Sequence, residues 1–128
     1  MAKHNEIGKI GEDIACDFLV SKGLKIVDRN FRRPYGEIDI VARETSGKYR
    51  FIEVKSVSYE TGRGMGAYRP EENVHPQKVK RLLKVIETYI VLKNIDHEWQ
   101  FDVAVVSVDQ KSKTAKVKYL EDIILGSD

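Results

Sequence analysis

Polar and apolar residues alternate along two neighbouring stretches of the chain, residues 36–42 and 49–55. The first reads Gly-Glu-Ile-Asp-Ile-Val-Ala and the second reads Tyr-Arg-Phe-Ile-Glu-Val-Lys. A period of two is typical of β-strands. The residues between them are polar and include Gly47, which favours a tight turn. The pattern therefore predicts a β-hairpin with a three-residue loop at 45–47.

The register of this hairpin follows if Glu44 pairs with Lys48, because Asp39 then lies opposite Glu53. Alternation would place apolar side chains on one face and charged side chains on the other. The apolar set is Ile38, Ile40, Ile52 and Val54, and the charged set is Glu37, Asp39, Glu53 and Lys55. Carboxylates that face each other across a sheet repel, and a divalent cation with oxygen ligands would relieve that repulsion. Alternatively, this is a solvated strand face on which Lys55 merely pairs with Glu53.

Four short motifs carry a resemblance to a known family. They are Gly-Lys-Ile-Gly-Glu-Asp-Ile-Ala at 8–15, Arg-Asn-Phe-Arg at 29–32, Gly-Glu-Ile-Asp at 36–39 and Phe-Ile-Glu-Val-Lys at 51–55. An Asp followed by Glu-x-Lys on a hairpin resembles the PD-(D/E)XK nuclease superfamily. The ordered set of motifs resembles the YraN family, and this resemblance extends over nearly the whole chain. Its members are small predicted endonucleases similar to archaeal Holliday-junction resolvases.

The resemblance implies a restriction-endonuclease-like αβββαβ core and a DNA endonuclease that hydrolyses phosphodiester bonds with Mg²⁺ or Mn²⁺. Asp39 and Glu53 would hold the metal, with the backbone carbonyl of Val54 as a further ligand. Lys55 would orient the attacking water or offset negative charge in the transition state. Glu12 would complete the metal shell, although taken alone it is more typical of a surface carboxylate near a helix N-terminus. The substrate would be branched or single-stranded DNA, and resolvase-like cutting of two strands implies a homodimer.

The rest of the chain predicts two helices and three further strands. A helix over 7–22 carries an apolar stripe with Cys16 roughly opposite to it, and Gly23 is a C-terminal stop. A second helix follows Pro76, with Asn73 or His75 as its cap. Strands are predicted over 24–31, over 99–108 as a central strand, and over 115–120, before a short helix or irregular tail over 121–125. This order predicts one α/β domain over 1–128, a mixed β-sheet flanked by helices.

Candidate nucleic-acid contacts lie in three segments. Arginine forms bidentate contacts with phosphate, and aromatic rings stack on bases. The connector before the hairpin contains Arg32 and Arg33. The glycine-rich segment after the hairpin contains Tyr59, Arg63 and Arg69, and the second helix contains Lys78. A solvated turn and a solvated basic helix face are the alternatives.

Composition narrows the class of protein. The 128 residues are 41% hydrophobic and 33% charged, with a net charge of +2, as expected for a globular domain. With a single cysteine the chain forms no internal disulfide, and neither an apolar membrane-spanning run nor a signal peptide is evident. We therefore expect a cytoplasmic protein without a membrane partner.

The runner-up function is a nucleic-acid-binding module that keeps the fold and cleaves little, acting with a partner. A third hypothesis is an interaction protein whose acidic cluster is only surface charge.

Overall fold

A computed structural model describes residues 2–59 and 76–123, which form one five-stranded sheet with a helix on each face. Helix α1 spans Ala2–Ser21 and helix α2 spans Pro76–Leu92. The strands are β1 (Lys25–Arg33), β2 (Gly36–Arg43), β3 (Tyr49–Tyr59), β4 (Trp99–Asp109) and β5 (Thr114–Leu120). The predicted α/β class and element order are confirmed, and the arrangement is consistent with a restriction-endonuclease-like core.

The strands lie in the order β1-β2-β3-β4-β5. Strands β3 and β4 are parallel, whereas the other three neighbouring pairs are antiparallel. The sheet is therefore mixed, as predicted. Strand β4 lies between β3 and β5 and is buried from Gln100 to Asp109, which confirms the prediction of a central strand.

The core has two layers, one on each face of the sheet. On one face α1 packs against β2, β3 and β4 through Ala15, Cys16, Leu19, Ile40, Ile52 and Ala104. On the other face α2 packs through Val85, Ile86, Tyr89, Ile38, Val41 and Phe51. The prediction that Cys16 points away from the core is wrong, because the buried side of α1 centres on Ala15 and Leu19 and leaves Ile10 40% exposed.

The predicted end of α1 and the predicted start of α2 are confirmed, whereas α1 begins at Ala2 and not at residue 7. Gly23 has a φ of 91° and donates its N–H to the Val20 carbonyl at 2.9 Å, a conformation that glycine adopts without strain. Helix α2 begins at Pro76. The proposed caps Asn73 and His75 lie outside the described residues. Residues 121–123 form no regular element, and the rest of the predicted tail also lies outside.

The predicted hairpin register is confirmed. The Glu44 N–H donates to the Lys48 carbonyl at 2.8 Å, and Gly47 has a φ of 101°. The paired residues run from Arg43–Tyr49 to Ile40–Ile52. The pairing of β2 with β3 ends there, although β2 continues to Gly36 and β3 continues to Tyr59. The two strands therefore separate where Asp39 and Glu53 would be the next pair.

The face prediction for β2 is partly wrong. Ile40 packs on the α1 side of the sheet, but Ile38 packs on the α2 side. Strand β1 changes in the same place, since Arg29 contacts α1 and Phe31 packs on Tyr89 of α2 at 4.9 Å between ring centroids. Between these positions, the side chains of both strands change from the α1 side of the sheet to the α2 side. Strict alternation could not reveal this irregularity.

In the described part of the chain, no helix combines the length and apolar character that crossing a bilayer requires.

Candidate active site

Asp39 lies where β2 and β3 separate. Its Oδ2 atom accepts a hydrogen bond from the Val54 N–H at 2.7 Å. A side-chain oxygen thus binds the β3 backbone just beyond the last β2–β3 pair, Ile40–Ile52. The sequence predicted Val54 as a ligand through its carbonyl, and the contact that the structure contains is made by its N–H. The hydrogen bond from Val54, just beyond the end of the β2–β3 pairing, therefore fixes the position of the Asp39 carboxylate.

Negative charge is concentrated around Asp39. Burial raises the pKa of this carboxyl from its ordinary 3.8 to about 7, although the Val54 N–H acts in the opposite direction. The nearby charges of Glu37, Glu53 and Glu12 raise the pKa further. A bound cation would favour the ionised form and offset this penalty. The site is thus electrostatically suited to a cation.

Glu53 lies beside two lysines. Lys55 Nζ is 2.8 Å from Glu53 Oε2, and Lys78 Nζ is 3.2 Å from the same oxygen. Glu53 and Lys55 are two residues apart on β3 and face the same side, and the first turns of α2 bring Lys78 to them. The alternative in which Lys55 pairs with Glu53 describes this geometry correctly. It leaves open which partners Glu53 has when a phosphate or a cation is bound.

Glu12 approaches the site from α1. Its Oε1 accepts hydrogen bonds from Arg29 Nη2 at 2.7 Å, Arg29 Nε at 3.2 Å and Asn30 Nδ2 at 3.0 Å. Arg29 also binds Asp13 at 2.8 Å. Glu12 lies in the middle of α1, and its side chain is only 14% exposed. The interpretation as a surface carboxylate at a helix N-terminus is therefore wrong.

Two clefts open on opposite sides of the sheet and meet at Asp39. The α1-side cleft, about 1040 Å³, is lined by Lys9, Glu12, Arg29, Asn30, Arg32 and Ser56 among others. The α2-side cleft, about 380 Å³, includes Tyr35, Glu53, Lys55, Lys78 and Arg81. Glu37, Asp39 and Val54 line both clefts. The predicted site residues are thus divided between two sides of the sheet, with Asp39 common to both.

The predicted nucleic-acid contacts are only partly brought together. Arg32 lines the α1-side cleft and forms an ion pair with Glu37 at 3.3 Å. Arg33 instead stacks over the Phe31 ring at 4.2 Å, and it lines neither cleft. Lys78 lines the α2-side cleft. Arg63, Arg69 and the side chain of Tyr59 lie outside the described residues.

Arg81 is a residue that sequence reasoning did not single out. It is exposed and lines the α2-side cleft with Lys78. Residues three apart on a helix lie on the same face, so the spacing from Lys78 was the available signal. A guanidinium and an ammonium in one cleft form a suitable anion site.

The described residues offer few protein ligands for a metal ion. Across residues 2–59 and 76–123, no three Asp, Glu, His or Cys side chains lie close enough together to hold an ion. Mg²⁺, however, often uses only one or two carboxylates and completes its shell with water and substrate phosphate. Asp39 and Glu53 are hard oxygen donors on the two separating strands. They are the residues that would hold such an ion.

Another aspartate, Asp102 on β4, lies outside both clefts. It is fully buried and accepts hydrogen bonds from Gln100 Nε2 at 2.8 Å and from the Asp122 N–H at 2.7 Å. It also binds Arg50 and the Tyr119 hydroxyl. The sequence left its role open, and these partners indicate a structural role.

A family model matches residues 11–106, a range that includes Glu12, Asp39, Glu53 and Lys55. Its description is Uncharacterised protein family UPF0102. The chain belongs to the UPF0102 family. A UPF0102 protein of Flavobacterium psychrophilum is 32% identical over 122 residues, 95% of this chain and 96% of the relative. A UPF0102 protein of Bacteroides fragilis is 35% identical over 122 residues, 95% and 94% of the two chains. One from Syntrophotalea carbinolica is 37% identical over 114 residues, 88% and 86%. The match therefore extends over nearly the full length of these relatives.

Proposed function

We propose that this chain is a metal-dependent DNA endonuclease of the PD-(D/E)XK type, like the YraN family that it resembles. The observation that carries the proposal is the position of Asp39. Its carboxylate lies at the gap between two strands and is bound to the Val54 N–H, and burial and the charges of Glu37, Glu53 and Glu12 raise its pKa. A carboxylate pair of this kind repels phosphate, so its presence favours cation binding over simple nucleic-acid binding.

Each side chain would have a distinct role. Asp39 and Glu53 would hold Mg²⁺ or Mn²⁺, which when bound polarises the phosphate and lowers the pKa of water. Lys55 would orient the attacking water or offset negative charge on the phosphoryl group. It is a poor general base, because the carboxylate beside it stabilises the charged ammonium. Lys78 and Arg81 would bind phosphate oxygens in the α2-side cleft.

The expected substrate is DNA that is branched or partly single-stranded, held by its phosphate backbone. Arg32 in the α1-side cleft and Lys78 in the α2-side cleft lie on opposite sides of Asp39. Such contacts give affinity that depends on salt and carries no sequence information. A homodimer is a further expectation from the resemblance, and a cytoplasmic location is one from the composition.

Cleavage of labelled DNA with Mg²⁺ or Mn²⁺ tests the proposal. The panel holds a four-way junction, a flap, a single strand and a duplex, each treated with wild type, Glu53→Gln and Glu87→Gln. Glu87 is an exposed carboxylate on α2 outside both clefts, so Glu87→Gln is the matched control. We expect wild type and the control to cut and Glu53→Gln to cut at least about 100-fold more slowly, more than supporting residues usually cost. Equal cutting by all three would reject the site.

A nucleic-acid-binding module is the second candidate. The observation in its favour is that Lys55 and Lys78 both form ion pairs with Glu53, so this carboxylate already has protein partners for its charge. DNA binding that persists in EDTA, with no cutting under any metal, would support this candidate. Mn²⁺ binding that disappears in Asp39→Ala would exclude the third hypothesis, an interaction protein whose acidic cluster is only surface charge.

A further inference from the structure

Asn30 has an unusual backbone conformation in the middle of β1. Its φ is 56°, in the left-handed region. The pairs Arg29–Ile40 and Phe31–Ile38 flank it, so in this register Asn30 lies across from Asp39. Backbone strain of this kind often marks a functional position. Here it occurs beside the carboxylate on which the two clefts meet.

The conformation of Asn30 has a direct consequence for Glu12. In a regular strand, neighbouring side chains point to opposite faces, so Arg29 and Asn30 could not both reach one group on α1. In this structure both reach Glu12 on α1, because the left-handed backbone at Asn30 interrupts the alternation. Arg29 Nη2 and Asn30 Nδ2 lie 2.7 Å and 3.0 Å from Glu12 Oε1.

All the hydrogen bonds from Arg29 and Asn30 to Glu12 end on Oε1. They leave Oε2 unused by these two donors. Glu12, Asn30 and Asp39 line the same cleft. Arg29 and Asn30 thus form a clamp that fixes one oxygen of Glu12 in the cleft that Asp39 also lines.

We infer that Asn30 is a positioning residue that, together with Arg29, holds Glu12 for the site at Asp39. The catalytic consequence of this inference rests on the proposed nuclease function. Two properties of asparagine are required. It adopts positive φ more readily than most residues, and its amide donates a hydrogen bond that a carboxylate accepts. Aspartate has only the first property and would repel Glu12, and glycine has the first without any side chain.

The test uses Asn30→Gly, which keeps the backbone conformation accessible and removes the amide. Asn94→Gly is the matched control, because Asn94 has a φ of 55° and follows α2, outside both clefts. Calorimetry gives the Mn²⁺ dissociation constant, and cleavage assays give the rate. We expect Asn30→Gly to lose about 10- to 100-fold in metal affinity or rate, as supporting residues do. Asn30→Asp should lose at least as much, and Asn94→Gly should match wild type.

A double variant shows whether Asn30 acts through Glu12. In the Glu12→Ala background there is no carboxylate to hold, so adding Asn30→Gly should change neither Mn²⁺ affinity nor rate. Losses that multiply in the double variant would overturn the inference. So would an Asn30→Gly variant with wild-type affinity and rate.

A third measurement separates this inference from the nuclease proposal. Carbon-13 relaxation of the labelled Glu12 side chain reports its order without any need for activity. We expect an ordered carboxylate in wild type and in Asn94→Gly, and a mobile one in Asn30→Gly. If wild type neither binds metal nor cuts DNA, the nuclease proposal fails while this measurement still decides the clamp. An equally ordered Glu12 in Asn30→Gly would overturn it.

Discussion

Asp39 and Asp102 are aspartates of the same sheet with opposite surroundings. Asp102 is completely buried, and its four donors are Arg50, Gln100, Tyr119 and the Asp122 N–H. Asp39 has one backbone donor, Val54, and its neighbours include three carboxylates that raise its pKa. A buried charge without enough donors costs free energy. The Asp102 network is complete without a ligand, whereas the surroundings of Asp39 are suited to an added cation.

The difference follows from strand pairing. Asp102 lies on β4, which pairs with β3 along its whole length and with β5 from Val103 to Asp109. The neighbouring strands therefore bring Arg50 and Tyr119 to it. Asp39 lies beyond the last β2–β3 pair, where a cleft opens on each side. Complete pairing supports a structural network, and separation of the strands leaves room for a ligand.

The largest effect is expected for Asp102→Ala. Removing this carboxylate leaves the donors of Gln100, Tyr119 and Asp122 without their acceptor, whereas Arg50 keeps its ion pair with Glu44. Each buried donor left unsatisfied costs about 1–3 kcal/mol, so the free energy of unfolding should fall by about 3–5 kcal/mol. Urea unfolding measures the change. Asp102→Asn, which keeps one acceptor oxygen, is the matched control and should lose less. A loss below about 1 kcal/mol in Asp102→Ala would remove the contrast with Asp39.

Gly11→Ala tests how closely α1 packs on β3 beside the site. A Cβ at Gly11 would lie 1.9 Å from Ser56 Oγ and 2.8 Å from Ser56 Cβ. The helix must shift, so the free energy of unfolding should fall by about 1–3 kcal/mol. Gly8 is the control on the same helix, since its added Cβ meets nothing within 4 Å.

Gly8→Ala should instead be neutral or stabilising by up to about 1 kcal/mol, because alanine has the higher helix propensity. Thermal unfolding of both variants measures the difference. If the two substitutions have the same effect, the close approach of α1 to Ser56 is not a feature of the folded protein.

Asp39→Asn should stabilise the metal-free protein at high pH. The pKa of Asp39 is raised in the folded state to about 7 from 3.8, so the protonated form favours folding. Stability should therefore fall as the pH rises between these two values. Asparagine does not ionise, so Asp39→Asn should be more stable than wild type at pH 8, with the difference vanishing near pH 4. The full pKa difference corresponds to about 4 kcal/mol, and because Asp39 is only half-buried, solvent screening should reduce this to about 1–2 kcal/mol.

Urea unfolding across this pH range, in EDTA, makes the measurement. With Mn²⁺ at pH 8 the order should reverse, because an ion that binds only the folded wild type stabilises it. Asp39→Asn that is less stable than wild type at pH 8 in EDTA would show that Asp39, like Asp102, has a structural role.

Lys78→Met should have the smallest effect on stability. Its ion pair with Glu53 is partly exposed, and such pairs contribute about 0–1 kcal/mol. DNA binding should weaken, and the salt dependence of the binding constant should fall by about one unit of slope. Lys80→Met is the control, because Lys80 is exposed on the same helix and lines neither cleft. Equal losses in the two variants would indicate a diffuse basic surface.

Local patterns predicted much of the fold. Glycine at position 47 and the pairing of Glu44 with Lys48 gave the correct register, because a turn and a period of two constrain a hairpin strongly. The strands and the end of α1 at Gly23 also followed from local signals. The errors, the side of Ile38 and the burial of Cys16, arose where packing overrides regular periodicity.

The candidate site was predicted less completely. Asp39, Glu53 and Lys55 share one hairpin, so a local pattern could bring them together. Arg81 and Asn30 were missed, since their importance depends on which cleft they line and on a backbone angle. Asp102 was noticed but not interpreted, because its partners come from three other segments of the chain.

The sequence by itself determined the order of elements and the hairpin register. These depend on neighbouring residues, whose periodicity and turn chemistry are visible in one dimension. The tertiary structure alone decided that Glu12 and Lys78 approach Asp39 from opposite sides of the sheet. It also decided that the side chains of β1 and β2 change sides of the sheet at Asn30 and Asp39. Those features depend on contacts between segments far apart in sequence, where packing and charge set the geometry.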